Sequence, residues 1–227
     1  MRKLLIAEQS EEIIAGLQSE LKDQWNISVC TDGYTAIDTL RYLEPDAMII
    51  NLSLPQKDGI SVLEECFPVL PPVILALTSF TSHYIERTAS ELGVGYILQK
   101  PCQINQIIHR LTDMYLTYHS PKNAAARHLK AMQMNTSYSG YRCLLVAIPA
   151  FKEDPSQLLQ KEIYPLVAQE CELNDERCVE RVIRFAIRDA WERRNIRIWS
   201  HYFPQNEIGD VDFPGNKDFI KRISEMI

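Results

Sequence analysis

The sequence predicts an α/β domain with a doubly wound, five-stranded parallel sheet, followed by an all-α domain that contains a helix-turn-helix. In the first half of the 227-residue chain, short and almost wholly apolar runs alternate with segments of helical periodicity. Runs that are apolar on both sides are typical of parallel strands covered by helices on both faces. After about residue 118 this alternation stops, and short helical segments joined by Pro and Asn turns replace it.

The elements of the first half follow in order. The apolar run Leu4–Ala7 predicts the first strand, and the helix behind it begins after Ser10. Residues 27–29 predict a second strand that ends in a turn at Asp32, and a short amphipathic helix follows. The remaining predicted strands are three apolar runs, at residues 47–50, 73–77 and 96–98. In such a sheet, ligand sites lie beyond the carboxyl ends of the strands.

The second half is most informative between residues 161 and 199. We expect a helix over Lys161–Cys171, a short turn, and a second helix with Asn174 as its N-cap. Apolar side chains share one face of that second helix: Val179, Ile183, Ala186 and Ala190. The opposite face carries an arginine stripe with the same spacing: Arg177, Arg181, Arg184 and Arg188. Upstream, the apolar run Leu144–Ile148 fits either a strand or helices on both sides of a break at Pro149.

The arginine stripe is difficult to explain as an ordinary solvated surface. Like charges four residues apart on a helix repel each other by a few tenths of a kcal/mol, and only Glu180, which can pair with Arg184, borders the stripe. Between residues 177 and 197, seven arginines outnumber three acidic residues, for a local charge of +4, although the whole chain carries −6. A basic stripe on one helix is the electrostatic footprint of a nucleic-acid contact, and two helices joined by a tight turn are typical of a helix-turn-helix.

Composition argues against several other classes of protein. No apolar run approaches the ~18 residues of a transmembrane helix, and the N-terminus lacks the features of a secretory signal. The six cysteines form no CxxC pair, which favours reduced thiols in a cytoplasmic protein over disulfides or a zinc site. Because the sequence has neither an HExxH motif nor a glycine-rich phosphate loop, we expect no enzyme, no metal site and no cofactor.

The predicted strand ends carry a specific set of polar residues: Glu8 and Gln9, then Asn51, then Thr78, then Lys100. Together with Pro45-Asp46, Ser53-Leu54-Pro55, Asp58-Gly59 and Pro101, this spacing resembles the receiver domain of bacterial two-component response regulators over residues 1–119. The resemblance implies an acidic pair after the first strand and a phosphoaccepting Asp after the third, which together hold Mg²⁺. It also implies a Thr and a Lys that contact the phosphoryl group, here Thr78 and Lys100.

The sequence departs from this receiver pattern at two positions. Gln9 replaces one carboxylate of the pair, and Asn51 stands at the phosphoacceptor position. An amide cannot form an acyl phosphate, because its nitrogen is a poor leaving group and its oxygen a weak nucleophile, and Mg²⁺ prefers anionic oxygen ligands. We therefore predict a pseudo-receiver that docks or dimerises but is not phosphorylated. Lys100 is better explained as a counter-ion for Glu8, because paired structural charges are common.

The second half resembles the effector domain of the sporulation stage-zero master regulator, a phosphorelay response regulator of endospore-forming bacteria. The matching residues are Tyr164-Pro165, the helix residues 179–191, Arg193 with Asn195-Ile196, and residues 214–220. The resemblance implies an all-helical DNA-binding domain in which Glu180, Arg181 and Arg184 reach base edges and phosphates.

These observations predict a pseudo-receiver over residues 1–119, a linker over 120–134 and a DNA-binding effector over 135–227. The expected function is a cytoplasmic transcription regulator that binds double-stranded DNA, as a homodimer or heterodimer, without control by aspartyl phosphorylation. The alternative is a protein-interaction module that sequesters a phosphorelay partner or forms heterodimers with an active regulator. DNA binding by the effector alone distinguishes the two hypotheses.

Overall fold

A computed structural model describes residues 1–227 and divides the chain into two units, Met1–Tyr118 and His119–Ile227. The first unit contains the predicted five-stranded parallel sheet, and the second is helical. None of the helices is both long and apolar enough to cross a bilayer.

Strands and helices alternate strictly in the first unit. Its elements are β1 (Arg2–Ala7), α1 (Glu11–Leu21), β2 (Trp25–Cys30), α2 (Gly33–Leu43), β3 (Ala47–Asn51), α3 (Gly59–Glu65), β4 (Ile74–Thr78), α4 (His83–Glu91), β5 (Tyr96–Gln99) and α5 (Ile104–Tyr118). The strand order is β2-β1-β3-β4-β5, and every pair is parallel. Because the order reverses at β1 and β3, the carboxyl ends of these two strands border the crevice where such sheets bind ligands.

Each face of the sheet has its own hydrophobic core. Buried residues of α2, α3 and α4 pack against one face, and buried residues of α1 and α5 pack against the other. The central strands β3 and β4 are buried along their whole length, which explains why their sequences are apolar on both sides. Ser10 caps α1 as predicted, since its hydroxyl accepts a hydrogen bond from the Ile13 amide.

The second unit consists of six helices and one π-helical turn. They are α6 (Pro121–Ala131), α7 (Ser139–Glu153), the π turn (Leu159–Ile163), α8 (Tyr164–Glu170), α9 (Glu176–Glu192), α10 (Ile196–Tyr202) and α11 (Asn216–Ser224). All six helices contribute buried residues to one hydrophobic core. Helix α7 runs through Pro149 without a break, so neither the strand nor the two separate helices considered for this segment is formed.

Two expected boundaries differ in the structure. Residues 120–134, predicted as a linker, contain α6 and lie within the second unit, because Ala125 and Leu129 on one face of α6 and Met132 at its C-cap are buried in the core of that unit. The N-cap of α9 is Asp175 instead of Asn174. Asp175 has the extended backbone of a cap, and its carboxylate accepts a hydrogen bond of 2.7 Å from the Cys178 amide.

Candidate functional site

The first candidate site is the group of polar residues at the strand ends, which we call the strand-end pocket: Glu8, Gln9, Asn51, Thr78 and Lys100. Because β1, β3, β4 and β5 are parallel, their carboxyl ends bring these residues to one edge of the sheet. The Glu8 side chain is completely buried, and Lys100 Nζ donates a hydrogen bond of 2.6 Å to its Oε2. The predicted ion pair between Lys100 and Glu8 is therefore present.

Asn51 completes the coordination of the Glu8 carboxylate. Its Nδ2 donates to Glu8 Oε1 at 3.1 Å and to Gln9 Oε1 at 2.9 Å. The Ser53 amide donates to Asn51 Oδ1 at 2.9 Å, and this contact fixes the orientation of the side-chain amide because a backbone N–H can only donate. Glu8 Oε1 also accepts from the backbone amides of Gln9 and Ser10. The polar atoms of Glu8 and Asn51 are thus all satisfied by other groups of the protein.

Thr78 lies at the same edge of the sheet but is engaged elsewhere. It is almost completely buried, and its hydroxyl donates to the carbonyl oxygen of Phe80 at 2.6 Å. The structure therefore joins Glu8, Gln9, Asn51 and Lys100 in one hydrogen-bonded network, while Thr78 stabilises the turn after β4.

The second candidate site is the exposed face of α9. Its apolar residues Val179, Ile183, Ala186 and Ala190 are buried as predicted, and the four residues of the arginine stripe are exposed. Gly140 allows α7 to approach the back of this helix, because a Cβ at that position would lie only 2.0 Å from the Val182 carbonyl oxygen. The close contact between α7 and α9 fixes which face of α9 points outward.

The arginine stripe has no acidic partner. None of Arg177, Arg181, Arg184 and Arg188 has a carboxylate within 4.0 Å, and the expected pair between Glu180 and Arg184 is not formed. At the end of the same helix, by contrast, Arg193 pairs with Asp189 and Arg194 pairs with Asp210. The Arg194 guanidinium also holds the pKa of the Asp210 carboxyl below its ordinary value.

Phe213 is a functional candidate that sequence reasoning missed. Its ring centroid lies 4.6 Å from Cζ of Arg184 and 5.3 Å from Cζ of Arg188, within the range of cation–π contacts. The loop is anchored by Trp191, whose ring packs edge-on against Phe213 and whose Nε1 donates to the Val211 carbonyl at 3.1 Å. A single aromatic in an irregular loop has no periodicity that would have revealed this role.

Asn216 ties the start of α11 to α8 and α9. Its Nδ2 donates to the Glu180 carbonyl at 3.0 Å and to the Tyr164 hydroxyl at 3.3 Å. Burial raises the pKa of Tyr164 above its ordinary value. This contact fixes the backbone of α9 at the level of Glu180.

Comparison with known families assigns each half of the chain separately. Residues 4–112 match the response regulator receiver domain, and residues 125–227 match the sporulation initiation factor Spo0A C-terminal domain. The two matches follow one another along the chain, a receiver domain first and a Spo0A C-terminal domain second. The Spo0A C-terminal match begins inside α6, in agreement with the burial of that helix in the second unit.

Solved receiver domains resemble the first half of this chain. The receiver domain of the Francisella response regulator 1452 is 22% identical, with a TM-score of 0.47, and the match covers 52% of this chain and 98% of that one. The response regulatory domain of mrkE from Klebsiella pneumoniae is 22% identical, with a TM-score of 0.45 and coverages of 51% and 97%. A CheY-like receiver from Methanospirillum hungatei JF-1 is 13% identical, with a TM-score of 0.48 and coverages of 51% and 94%.

Proposed function

We propose that this protein is a DNA-binding transcription regulator whose helix α9 enters the major groove of duplex DNA. The observation that carries the proposal is the arginine stripe, which is exposed and has no carboxylate within 4.0 Å along the whole helix. Four unpaired cations at i,i+4 and i,i+3 spacing repel each other in the free protein, and DNA phosphates relieve that repulsion. The Spo0A C-terminal family of the second unit supports the same conclusion.

The roles of the individual residues follow from their chemistry. Arg181 and Arg184 have the fork of donors that pairs with guanine O6 and N7, and Glu180 can accept from cytosine N4. Arg177 and Arg188 extend the stripe at its two ends and provide phosphate contacts. Buried Val179 and Ile183 hold the helix in the orientation that presents this face.

DNA binding by the full chain tests this proposal. A duplex selected from a random pool should bind at moderate salt, and Arg181→Ala and Arg184→Ala should each weaken binding by roughly five- to 150-fold, which corresponds to about 1–3 kcal/mol per lost base contact. Arg87→Ala is the matched control, because it removes one exposed arginine from α4 of the other unit. Selection of no preferred duplex, or no loss with either α9 variant, would favour the protein-interaction module instead.

We further propose that aspartyl phosphorylation does not control this regulator. Asn51 offers an amide at the phosphoacceptor position, and its nitrogen is turned toward Glu8 and Gln9. The Mg²⁺ ion implied by the receiver family does not fit these residues, because the pocket has one carboxylate and that carboxylate is already bonded to Lys100, Asn51 and two backbone amides. Control then comes from abundance, a protein partner, dimerisation or a ligand of the strand-end pocket.

Mass spectrometry tests this second point directly. The protein incubated with acetyl phosphate and Mg²⁺ should keep its mass, and its affinity for the selected duplex should not change. A receiver that gains about 80 Da, the mass of one phosphoryl group in place of a proton, would refute the proposal. Because the mass of the protein is measured without DNA, this result is independent of the test of α9.

A further inference from the structure

One large apolar side chain lies in water beside the arginine stripe. Phe185 on α9 is 58% exposed, although the five apolar residues on the opposite face of the helix are buried. It follows Arg181 by four residues and precedes Arg188 by three, so it is a direct neighbour of both on the helix surface. An exposed phenylalanine at this position is not needed for the core of the unit.

The surroundings of Phe185 combine apolar and cationic groups. Its ring packs against Tyr138 with 5.2 Å between the centroids and 55° between the planes. The two rings line an open cleft together with Gly140, Arg181 and Val182. Phe213, on the other side of the stripe, is already covered by two guanidinium groups, whereas Phe185 has a free outer surface next to Arg181.

We propose that Phe185 recognises thymine by packing against its 5-methyl group in the major groove, beside the base pair that Arg181 contacts. The inference rests on the proposed function of α9 as the DNA-contacting helix. Thymine is the base that presents a methyl group in the major groove, and apolar contact with Phe is an established way to read it. The exposed Phe185 ring lies beside arginines that have no acidic partner. This surface therefore suits a ligand that is polyanionic and carries small apolar groups at its edge.

The spacing along α9 limits where this thymine lies. Four residues advance a helix by ~6 Å, whereas consecutive bases of one strand are ~3.4 Å apart along the duplex axis. Phe185 therefore reaches a base one or two steps from the base that Arg181 contacts. We expect the preferred site to contain a thymine within two base pairs of the guanine read by Arg181.

Replacing thymine by deoxyuridine tests the proposal, because the substitution removes only the methyl group. The full chain first selects its preferred duplex, and each thymine of that duplex is then replaced in turn. At one or two positions the replacement should weaken binding by the wild type about fourfold, the effect expected from one buried methyl. Phe185→Ala should bind the two duplexes equally, and Phe185→Leu, which retains an apolar surface, should keep most of the preference.

Ile208→Ala is the matched control, because it shortens an 87% exposed apolar side chain in the loop between α10 and α11. It should retain the wild-type ratio of affinities for thymine and deoxyuridine. Selective binding that is insensitive to deoxyuridine at every position would overturn this inference and leave the proposed function intact. A Phe185→Ala variant that keeps the thymine preference but loses self-association would also overturn it, in favour of a protein contact. Failure to select any duplex would overturn both proposals.

Discussion

The two units use their charged and polar side chains in opposite ways. In the strand-end pocket, the Lys100 ammonium and the Asn51 amide are directed at one buried carboxylate, that of Glu8. On α9, four exposed arginines have no acidic partner, and two of them, Arg184 and Arg188, lie over the Phe213 ring. In the pocket, Glu8, Asn51 and Lys100 pair with one another, whereas the arginines of the helix face have no acidic partner.

This difference indicates which of the two sites is available to a ligand. A charged group that is already paired must lose its partner before it binds anything else, and at a buried site that loss is expensive. An unpaired surface arginine gains a partner when it binds a phosphate or a base, and it releases the repulsion from its neighbours. The contacts therefore favour α9 over the strand-end pocket as the site of binding that we propose.

The largest expected effect on stability comes from removing the Lys100 ammonium from the strand-end pocket. Lys100→Ala leaves the buried Glu8 carboxylate without its cation, and breaking such a pair typically destabilises a protein by about 3–5 kcal/mol. We expect about 3 kcal/mol, at the lower end of that range, because Asn51 and two backbone amides still bind the carboxylate. Urea unfolding of the full chain measures the loss.

The double variant Glu8→Gln/Lys100→Ala is the control for this prediction. It removes both charges and should recover most of the lost stability. Arg184→Ala, at an exposed position, should change stability by no more than about 0.5 kcal/mol. A loss below about 1 kcal/mol for Lys100→Ala would mean that the pocket is less closed than its geometry indicates.

A somewhat smaller loss of stability is expected when Asn51 is replaced by Asp, which adds a second carboxylate to the pocket. Asn51→Asp replaces a donor that lies 3.1 Å from Glu8 Oε1 by an acceptor of the same charge as Glu8. We expect a loss of about 2 kcal/mol in the presence of EDTA, and recovery on addition of Mg²⁺, because two carboxylates provide the anionic oxygens that the ion prefers. Thermal unfolding with and without Mg²⁺ measures both.

Asn51→Ala removes the amide without adding a charge, so it separates the effect of the new carboxylate from the effect of the lost hydrogen bonds. This variant should be destabilised but should not respond to Mg²⁺. If Mg²⁺ stabilises the wild type as strongly as it stabilises Asn51→Asp, the conclusion that the natural residues do not suit the ion is wrong.

Patterns of hydrophobicity were sufficient to predict the fold and the outward face of α9. A continuous apolar run indicates a strand covered on both faces, and a period of 3.6 residues indicates one face of a helix. The apolar runs of β3 and β4 and the buried row from Val179 to Ala190 could therefore be assigned from the sequence. The grouping of the polar residues at the strand ends was also predictable, because the carboxyl ends of parallel strands lie at one edge of the sheet. The Lys100–Glu8 pair followed from that arrangement and opposite charge.

What the sequence could not show depends on contacts between distant residues. Residues 120–134 lack a strong core signature, because an alanine-rich helix buries little surface per residue and resembles a connector until α7 is placed against it. Phe213 lies 25 residues beyond Arg188 in an irregular loop, so its stacking under two arginines required the structure. The absence of an ion pair between Glu180 and Arg184 is a matter of rotamers, which spacing alone does not determine.

The DNA affinity of the arginine stripe is expected to depend moderately on Phe213. Phe213→Leu keeps an apolar side chain under Arg184 and Arg188 but removes the ring face that attracts them. We expect DNA affinity to fall about fivefold, or ~1 kcal/mol, the size of a partly exposed cation–π contact. Phe213→Tyr should bind as the wild type does.

A double-mutant cycle identifies the cause of this loss. In an Arg184→Ala/Arg188→Ala background, Phe213→Leu should weaken binding no further, because the cations that use the ring are gone. An equal loss in both backgrounds would show that Phe213 acts by packing the loop and not by positioning the arginines.

The smallest effect concerns the protonation of His128, a partly buried residue of α6 in the second unit. His128 Nδ1 lies 3.1 Å from the Tyr202 hydroxyl, and burial lowers the pKa of His128 below its ordinary value of 6.5. The unfolded chain therefore takes up the proton first, so the stabilising contribution is complete above pH 6.5 and is lost as the pH falls through the folded pKa. His128→Gln should flatten the decline in unfolding free energy below about pH 6.5, by less than about 1.4 kcal/mol for each unit of pKa shift. Urea unfolding at several pH values measures the slope, and equal slopes for variant and wild type would show that the histidine is charged as easily in the folded unit as in water.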